Sequence, residues 1–268
     1  MRILFYLLVT VGLASTVHFQ LQLPYLQASL LAGLINGLVL LLISWLILRK
    51  HKGAVLGLIW GIACTGPAVF FGTQLREIHA KFHLQWLEAA GFAPLNEETL
   101  KVLGVLLICT YFIKPERARD YVYVGIAVGM GFAIVEDFAF IARITLYDLD
   151  SDTVGAAAGI AIRTVGNPFG HALYTGLAAF GLSRKNPFPW WLLGVALHTL
   201  TNLFPSLAST FPDANWPVIG SFCVVAGTWT ACIWLFTRLV RSARRERKLS
   251  HSDVSDAPAH SPLVPAKN

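Results

Sequence analysis

The sequence predicts an all-α protein, a polytopic transmembrane bundle of about eight spans. Of its 268 residues, 55% are hydrophobic and only 13% are charged, and the mean hydropathy is +0.60. A soluble globular domain carries about 25% charged residues, so this chain has too little polar surface to cover a water-soluble body. A membrane-spanning helix needs about 20 apolar residues. The segments that approach this length cover residues 3–18, 25–48, 53–73, 99–114, 121–143, 155–183, 188–206 and 216–238.

The lysine and arginine residues predict the orientation of these segments. Clusters of basic residues lie at 49–52, 114–119, 184–185 and 238–248. The alternate connections 19–24, 144–154 and 207–215 contain no lysine or arginine. Because basic connections remain on the cytoplasmic side, both termini are predicted to be cytoplasmic. We interpret the first segment as a retained helix rather than a cleaved signal peptide, because Arg2 is its only basic flank.

The net charge, the cysteines and the C-terminal segment indicate which partners to expect. The net charge of +6 lies in short connections between apolar runs, which is typical of membrane proteins and does not indicate nucleic acid. The four cysteines lie within apolar segments without CxxC spacing, so the sequence predicts neither a disulfide framework nor a zinc knuckle. Residues 241–268 are polar and predict a disordered basic cytoplasmic tail against the lipid headgroups. No pattern in the sequence indicates an oligomeric state.

Ionisable side chains inside apolar segments mark a candidate site, because a charge within a bilayer costs several kcal/mol unless it is paired or hydrated. Glu97 and Glu98 open the fourth segment, and Glu136 lies inside the fifth. His171 and His198 lie in the sixth and seventh segments.

The depths of these residues predict that they share one site. Counted from the cytoplasmic ends at about 1.5 Å per residue, Glu98 lies about 24 Å, Glu136 about 22 Å and His171 about 20 Å into the membrane. His198 and Asn202 lie at about 12 and 18 Å. Helices that run in opposite directions therefore place their polar groups in the outer half of the bilayer.

Structural explanations compete at several of these positions. Asn96 is a plausible helix cap before the two glutamates, and Glu97 and Lys101 have the i,i+4 spacing of a surface ion pair. Arg143 or Arg163 offers Glu136 a partner. Asn167 is predicted to precede a helix kink at Pro168, and Asp137 projects about 100° away from Glu136 as a polar neighbour.

Four segments in order resemble the PrsW family of intramembrane proteases, relatives of the CAAX prenyl endopeptidases and bacteriocin-processing enzymes. They are Glu97-Glu98-x-x-Lys101, Phe132-x-x-x-Glu136, His171 with the following Gly176, and His198-x-x-x-Asn202. Asp137 departs from the family, in which we expect asparagine after the glutamate. The resemblance divides the chain into N-terminal helices at 1–72, a catalytic membrane core at 73–206, a last helix at 207–240 and the tail at 241–268.

The resemblance implies cleavage of a membrane-anchored protein, such as an anti-sigma factor, in the inner membrane of a bacterium. Glu98 or Glu97 is the expected general base, and His171 helps to orient the water. Asn202, with His198, is expected to donate to the oxyanion. Lys101 is expected to bind the other glutamate, and Arg163 and Asn167 are expected to support the site.

A zinc-dependent version uses the same residues differently. Glu136, His171 and His198 provide the mixed nitrogen and oxygen ligand set of a catalytic zinc site. We favour the version without a cofactor, because the paired glutamates lie at the water-accessible edge. A proton-coupled transporter or channel is the alternative function, and a scaffold in which the polar cluster joins helices is a third.

Overall fold

The computed structural model describes residues 1–81, 88–147, 151–166, 169–211 and 213–255. Within these ranges the regular structure is entirely helical, which confirms the all-α prediction. The α-helices are α1 (Arg2–Leu21), α2 (Gln27–Leu48), α3 (Ala54–Lys81), α4 (Ala93–Ile108), α5 (Ala118–Tyr147), α6 (Asp152–Ala161), α7 (Gly170–Leu182), α8 (Phe188–Thr210) and α9 (Trp216–Ser255). Short π-helical turns cover Glu88–Phe92, Cys109–Ile113 and Ile162–Gly166.

Six of these helices are long and apolar enough to cross a membrane, namely α1, α2, α3, α5, α8 and α9. The fourth predicted span corresponds to α4 and the π-helical turn that ends at Ile113, and the sixth corresponds to α6 and α7. The prediction of about eight spans agrees with this arrangement. Asn167 and Pro168, where a kink was predicted, lie outside the described residues.

The chain divides into two compact units. The first covers Met1–Trp229 and contains all the candidate site residues, while the second begins at Thr230 and contains the C-terminal part of α9. The helix α9 continues to Ser255, beyond the predicted end of the last span. The assignment of residues 241–268 to a disordered tail stays a prediction, and residues 256–268 lie outside the described part.

The central helix α5 is buried along most of its length between α3 and α7, and glycines set how closely it packs. A Cβ atom on Gly61 of α3 would lie 2.1 Å from the Val128 carbonyl oxygen of α5. A Cβ atom on Gly129 of α5 would lie 2.2 Å from the carbonyl oxygen of His171 on α7. Backbones can approach this closely only where side chains are absent, and this contact fixes α7 against the helix that carries Glu136.

His51 lies in the connection between α2 and α3, outside the spans, and packs against the start of α5. Its ring stacks on that of Tyr123, with 3.4 Å between the ring centroids and 17° between the planes. Burial lowers the pKa of His51 below its ordinary value of 6.5; the nearby Asp120 opposes this shift, and Arg119 adds to it. His51 is therefore a neutral, packed side chain in the folded protein at neutral pH.

Candidate active site

The ammonium group of Lys101, on α4, lies at the centre of a buried polar cluster. It donates to Glu98 Oε1 at 2.8 Å, to Glu97 Oε2 at 3.3 Å and to Nδ1 of His171 at 2.8 Å. The same nitrogen lies 3.7 Å from the ring centroid of Phe132, a cation–π contact. Lys101 has no exposed surface, so each of its three N–H bonds has an acceptor inside the protein.

Glu98 and Glu97 differ in what they face. Glu98 has no exposed surface and accepts from Lys101, from Nδ1 of His198 at 3.0 Å and from the Thr175 hydroxyl at 3.0 Å. The side chain of Glu97 is 13% exposed and lines a cavity. The sequence left both glutamates open as the general base. The structure turns Glu97 toward the cavity and surrounds Glu98 with hydrogen-bond donors.

The two histidine rings lie side by side next to these carboxylates. The ring centroids of His171 and His198 are 4.9 Å apart with perpendicular planes, and Tyr174 stacks on His198 at 5.0 Å. Since Nδ1 of His198 donates to the carboxylate of Glu98, its Nε2 carries a lone pair. That nitrogen lies 3.8 Å from Glu97 Oε2.

Glu136, on α5, connects His171 to Arg163. Its Oε2 lies 2.8 Å from Nε2 of His171 and 2.8 Å from Nη2 of Arg163. Because Lys101 can only donate to Nδ1 of His171, the ring proton lies on Nε2 and is donated to Glu136. Of the two arginines considered as partners for Glu136, Arg163 makes the contact, while Arg143 lines the same cavity.

Asp137 also takes part in the network, which the sequence did not lead us to expect. Nε of Arg163 donates to Asp137 Oδ1 in a short contact, and Nδ2 of Asn36 donates to Asp137 Oδ2 at 2.8 Å. Asn36 belongs to α2 and in turn accepts from the Thr164 hydroxyl at 3.2 Å. A polar amide in an otherwise apolar span was the signal in the sequence that could have identified Asn36.

The cavity has a volume of about 670 Å³ and lies within the first compact unit. Apolar side chains from several helices form much of its wall, and Asn202 of α8 lies on it as well. The candidate residues on the wall are Glu97, Glu136, Arg163, His171, His198 and Asn202. The predicted supporting residue Asn167 lies outside the described residues. Glu98 and Lys101 contact the wall residues from behind.

Three of these side chains could together hold a metal ion. Ligand atoms of Glu97, His171 and His198 all lie within 4.8 Å of one another. The set expected from the sequence had Glu136 in place of Glu97; in the structure the nearest described partners of Glu136 are His171 and Arg163. One carboxylate and two imidazoles form a donor set that suits zinc and leaves a fourth position for water.

Comparison with known proteins bears on this site directly. A family model described as PrsW family intramembrane metalloprotease matches residues 49–230. The chain belongs to this family. The PrsW match contains every residue on the cavity wall named above and extends beyond the 73–206 core expected from the motifs, while α1 and α2 precede it. No curated protein and no solved structure gives a significant match to the chain.

Membership of the PrsW family confirms the resemblance that the four motifs carried and supports membrane protease activity. The family name describes its members as metalloproteases. An intramembrane protease acts on a membrane protein within the lipid bilayer, which agrees with the six helices in the described part of this chain that are long and apolar enough to cross a membrane.

Proposed function

We propose that this protein hydrolyses a peptide bond in a membrane-anchored protein, with Glu97 as the general base that takes a proton from the attacking water. The observation that carries the proposal is the pairing of Glu97 Oε2 with Nε2 of His198, 3.8 Å apart at the cavity wall. That distance is too long for a direct hydrogen bond, and a water can bridge groups at such a separation.

The buried part of the cluster supports this role by orienting the two groups. Glu98 holds His198 through Nδ1 at 3.0 Å, so the lone pair on Nε2 is directed at the water position. Lys101 holds the carboxylate of Glu97 in place through a 3.3 Å contact. A base that is fixed in place needs little reorganisation when the reaction begins.

Asn202 is proposed to stabilise the oxyanion. It follows His198 by one helical turn on α8, so both side chains lie on one side of that helix, and both line the cavity. The amide of asparagine can donate to the oxygen of a scissile carbonyl without a proton transfer.

A zinc-dependent version of the same activity has its own support. Glu97 and Nε2 of His198 can bind the ion as they stand, whereas His171 would first release one of its two hydrogen bonds, from Lys101 or to Glu136. Glu98 would hold His198 from the outer side, as carboxylates commonly hold zinc-bound histidines. A zinc ion bound there would activate a coordinated water and polarise the scissile carbonyl. The described cluster also contains two more carboxylates than cations, a balance that favours a divalent cation; its charged members are Glu97, Glu98, Lys101, Glu136, Asp137 and Arg163.

The proposed substrate is a single-span regulator such as an anti-sigma factor, and the proposed location is the inner membrane of a bacterium with both termini in the cytoplasm. The family resemblance supports the substrate class, and the basic clusters support the orientation. Reporter fusions at each terminus and in the connection after α3 test the orientation directly.

The test of the proposed activity is to express the wild type, Glu97→Gln and His198→Gln beside a panel of single-span host proteins. We expect cleavage of one or more of them by the wild type alone. Glu116→Gln is the matched control, because Glu116 is an exposed carboxylate outside the site. Equal processing by the wild type and both site variants would refute the protease. Residue-dependent ion flux without cleavage would identify a transporter instead.

A strong chelator separates the two versions once a cleaved host protein is known. Loss of cleavage that added zinc restores would establish the metal-dependent version. Cleavage that persists after complete chelation, with no zinc found in the purified protein by elemental analysis, would establish the version in which Glu97 acts without a metal.

A further inference from the structure

We propose that Asn36 of α2 is a positioning residue for the site. Asn36 holds Asp137, and Asp137 in turn directs Arg163 at Glu136. The helix α2 ends before residue 49, where the family match begins, so neither the motifs nor the match assigns it a role. The inference rests on the proposed function, because Glu136 lies on the wall of the cavity in which cleavage would occur.

Asn36 is a buried amide with well-defined partners. Only 2% of its surface is exposed, and a buried amide without hydrogen bonds would be strongly destabilising. Its Nδ2 donates to Asp137 on α5 at 2.8 Å, and its Oδ1 accepts from Thr164 in the π-helical turn Ile162–Gly166 at 3.2 Å. One side chain of α2 thus bridges the two segments that carry Glu136 and Arg163.

The surrounding glycines bring α2 close enough for this contact. A Cβ atom on Gly33 would lie 2.6 Å from the ring of Phe138, and one on Gly37 would lie 3.3 Å from the same ring. The two glycines lie on either side of Asn36 along the helix, and Phe138 follows Asp137 by one residue. The sequence of α2 therefore has small residues where its backbone meets α5 and an amide where it meets Asp137.

Arg163 transmits this contact to the site because its guanidinium is planar and rigid. Its Nε contacts Asp137 while its Nη2 donates to Glu136 at 2.8 Å, so fixing one contact sets the direction of the other. The Glu136 oxygen that Arg163 binds also accepts from His171 at 2.8 Å. A displaced Arg163 would therefore change the hydrogen bond between Glu136 and His171.

An exchange of the two side chains tests whether the cluster needs its carboxylate near Arg163. Asn36→Asp combined with Asp137→Asn preserves the size and net charge of the pair and moves the carboxylate across a 2.8 Å contact. Aspartate at 36 still accepts from Thr164, and asparagine at 137 now donates to it, so the hydrogen bond between the two positions is kept with its direction reversed.

The experiment uses the full chain in lipid nanodiscs, with the variants Asn36→Leu, Asp137→Asn and the exchange. One measurement is the cleavage of the host protein identified with the wild type. The other is the ¹⁵N NMR signal of the His171 imidazole, assigned by its loss in His171→Gln. Ser44→Ala is the matched control on α2, since the hydroxyl of Ser44 donates only within its own helix, to the Leu40 carbonyl.

We expect Asn36→Leu and Asp137→Asn to lower kcat about 10- to 100-fold, the range for groups that orient a site through a neighbour, with KM changed less than about twofold. The His171 signal should shift in both variants. The exchange should recover kcat to within about threefold of the wild type and return the His171 signal to its wild-type position. Ser44→Ala should change neither kcat nor the signal.

Either of two results would overturn the proposal: an Asn36→Leu protein that is less stable but keeps its kcat and its His171 signal, or an exchange no better than Asp137→Asn alone. If the wild type cleaves no host protein, the proposed function fails, and the NMR signal alone decides whether Asn36 positions Glu136 and His171.

Discussion

Replacing Glu98 with glutamine should destabilise the folded protein, whereas the same change at the adjacent Glu97 should leave it folded but inactive. Glu98 is fully buried and accepts from Lys101, His198 and Thr175. Glu97 is partly exposed at the cavity, where Lys101 at 3.3 Å is its hydrogen-bond donor. The two residues are neighbours with the same chemistry, so each serves as a control for the other.

The expected magnitudes follow from these contacts. Removing one partner of a buried ion pair costs about 3–5 kcal/mol. In Glu98→Gln, Lys101 keeps Glu97 as a partner and the glutamine oxygen still accepts one hydrogen bond, so we expect a loss of about 2–3 kcal/mol. In Glu97→Gln, Lys101 keeps its shorter contact with Glu98, and we expect the free energy of unfolding to fall by less than about 1 kcal/mol.

Unfolding of the purified proteins by SDS titration in mixed micelles measures the stability, and cleavage of the host protein measures the activity. Glu97→Gln should lower kcat by at least about 100-fold, the usual contribution of a general base. An equal loss of stability in both variants would show that the cavity does not distinguish the two carboxylates. An active Glu97→Gln protein would refute the assignment of Glu97 as the base.

Three further predictions follow from other parts of the structure. Gly129→Ala should reduce both stability and cleavage, because its Cβ would meet the His171 carbonyl oxygen at 2.2 Å, while Gly227→Ala, with nothing within 4 Å, should change neither. Asn202→Ala should lower kcat about 100- to 1,000-fold with little change in KM, as expected for an oxyanion donor. The lowered pKa of His51 predicts stability that is present above about pH 6.5 and is lost as the pH falls through 6.5 toward the folded-state value.

Each of these has a direct check. Unfolding by SDS at pH 7.5 and pH 5.5 should show a smaller stability at the lower pH in the wild type, and His51→Gln should reduce that difference. A Gly227→Ala protein as impaired as Gly129→Ala would contradict the packing argument. For Asn202, a rise in KM with unchanged kcat would indicate substrate binding instead of oxyanion stabilisation.

The prediction of about eight spans agrees with the structure because hydrophobic length is a local property of the sequence. The orientation inferred from the basic connections stays a prediction. Depth counting along each helix was enough to predict that Glu98, Glu136, His171 and His198 meet, and the structure places them in one cluster. Counting along an axis needs only the rise per residue, which varies little between helices.

The same reasoning could not predict how each helix is rotated about its own axis. Glu97 and Glu98 project about 100° apart, and which of them faces the cavity depends on how α4 packs against its neighbours. Asp137 and Asn36 are 101 residues apart, and their contact depends on the glycine surface of α2. Contacts of this kind are set by tertiary packing, which a single sequence does not reveal through its periodicity.

The saturated ammonium group of Lys101 has a consequence for how relatives of this protein can vary. Its three N–H bonds are used by Glu97, Glu98 and His171, and the nitrogen also lies 3.7 Å from the ring centroid of Phe132. Arginine is too large and too planar for this enclosure, and a neutral residue would leave the carboxylates of Glu97 and Glu98 without this cation. Substitutions at Lys101 should therefore occur in homologous chains only together with changes at Glu98 or Phe132, so the three positions should coevolve as one unit.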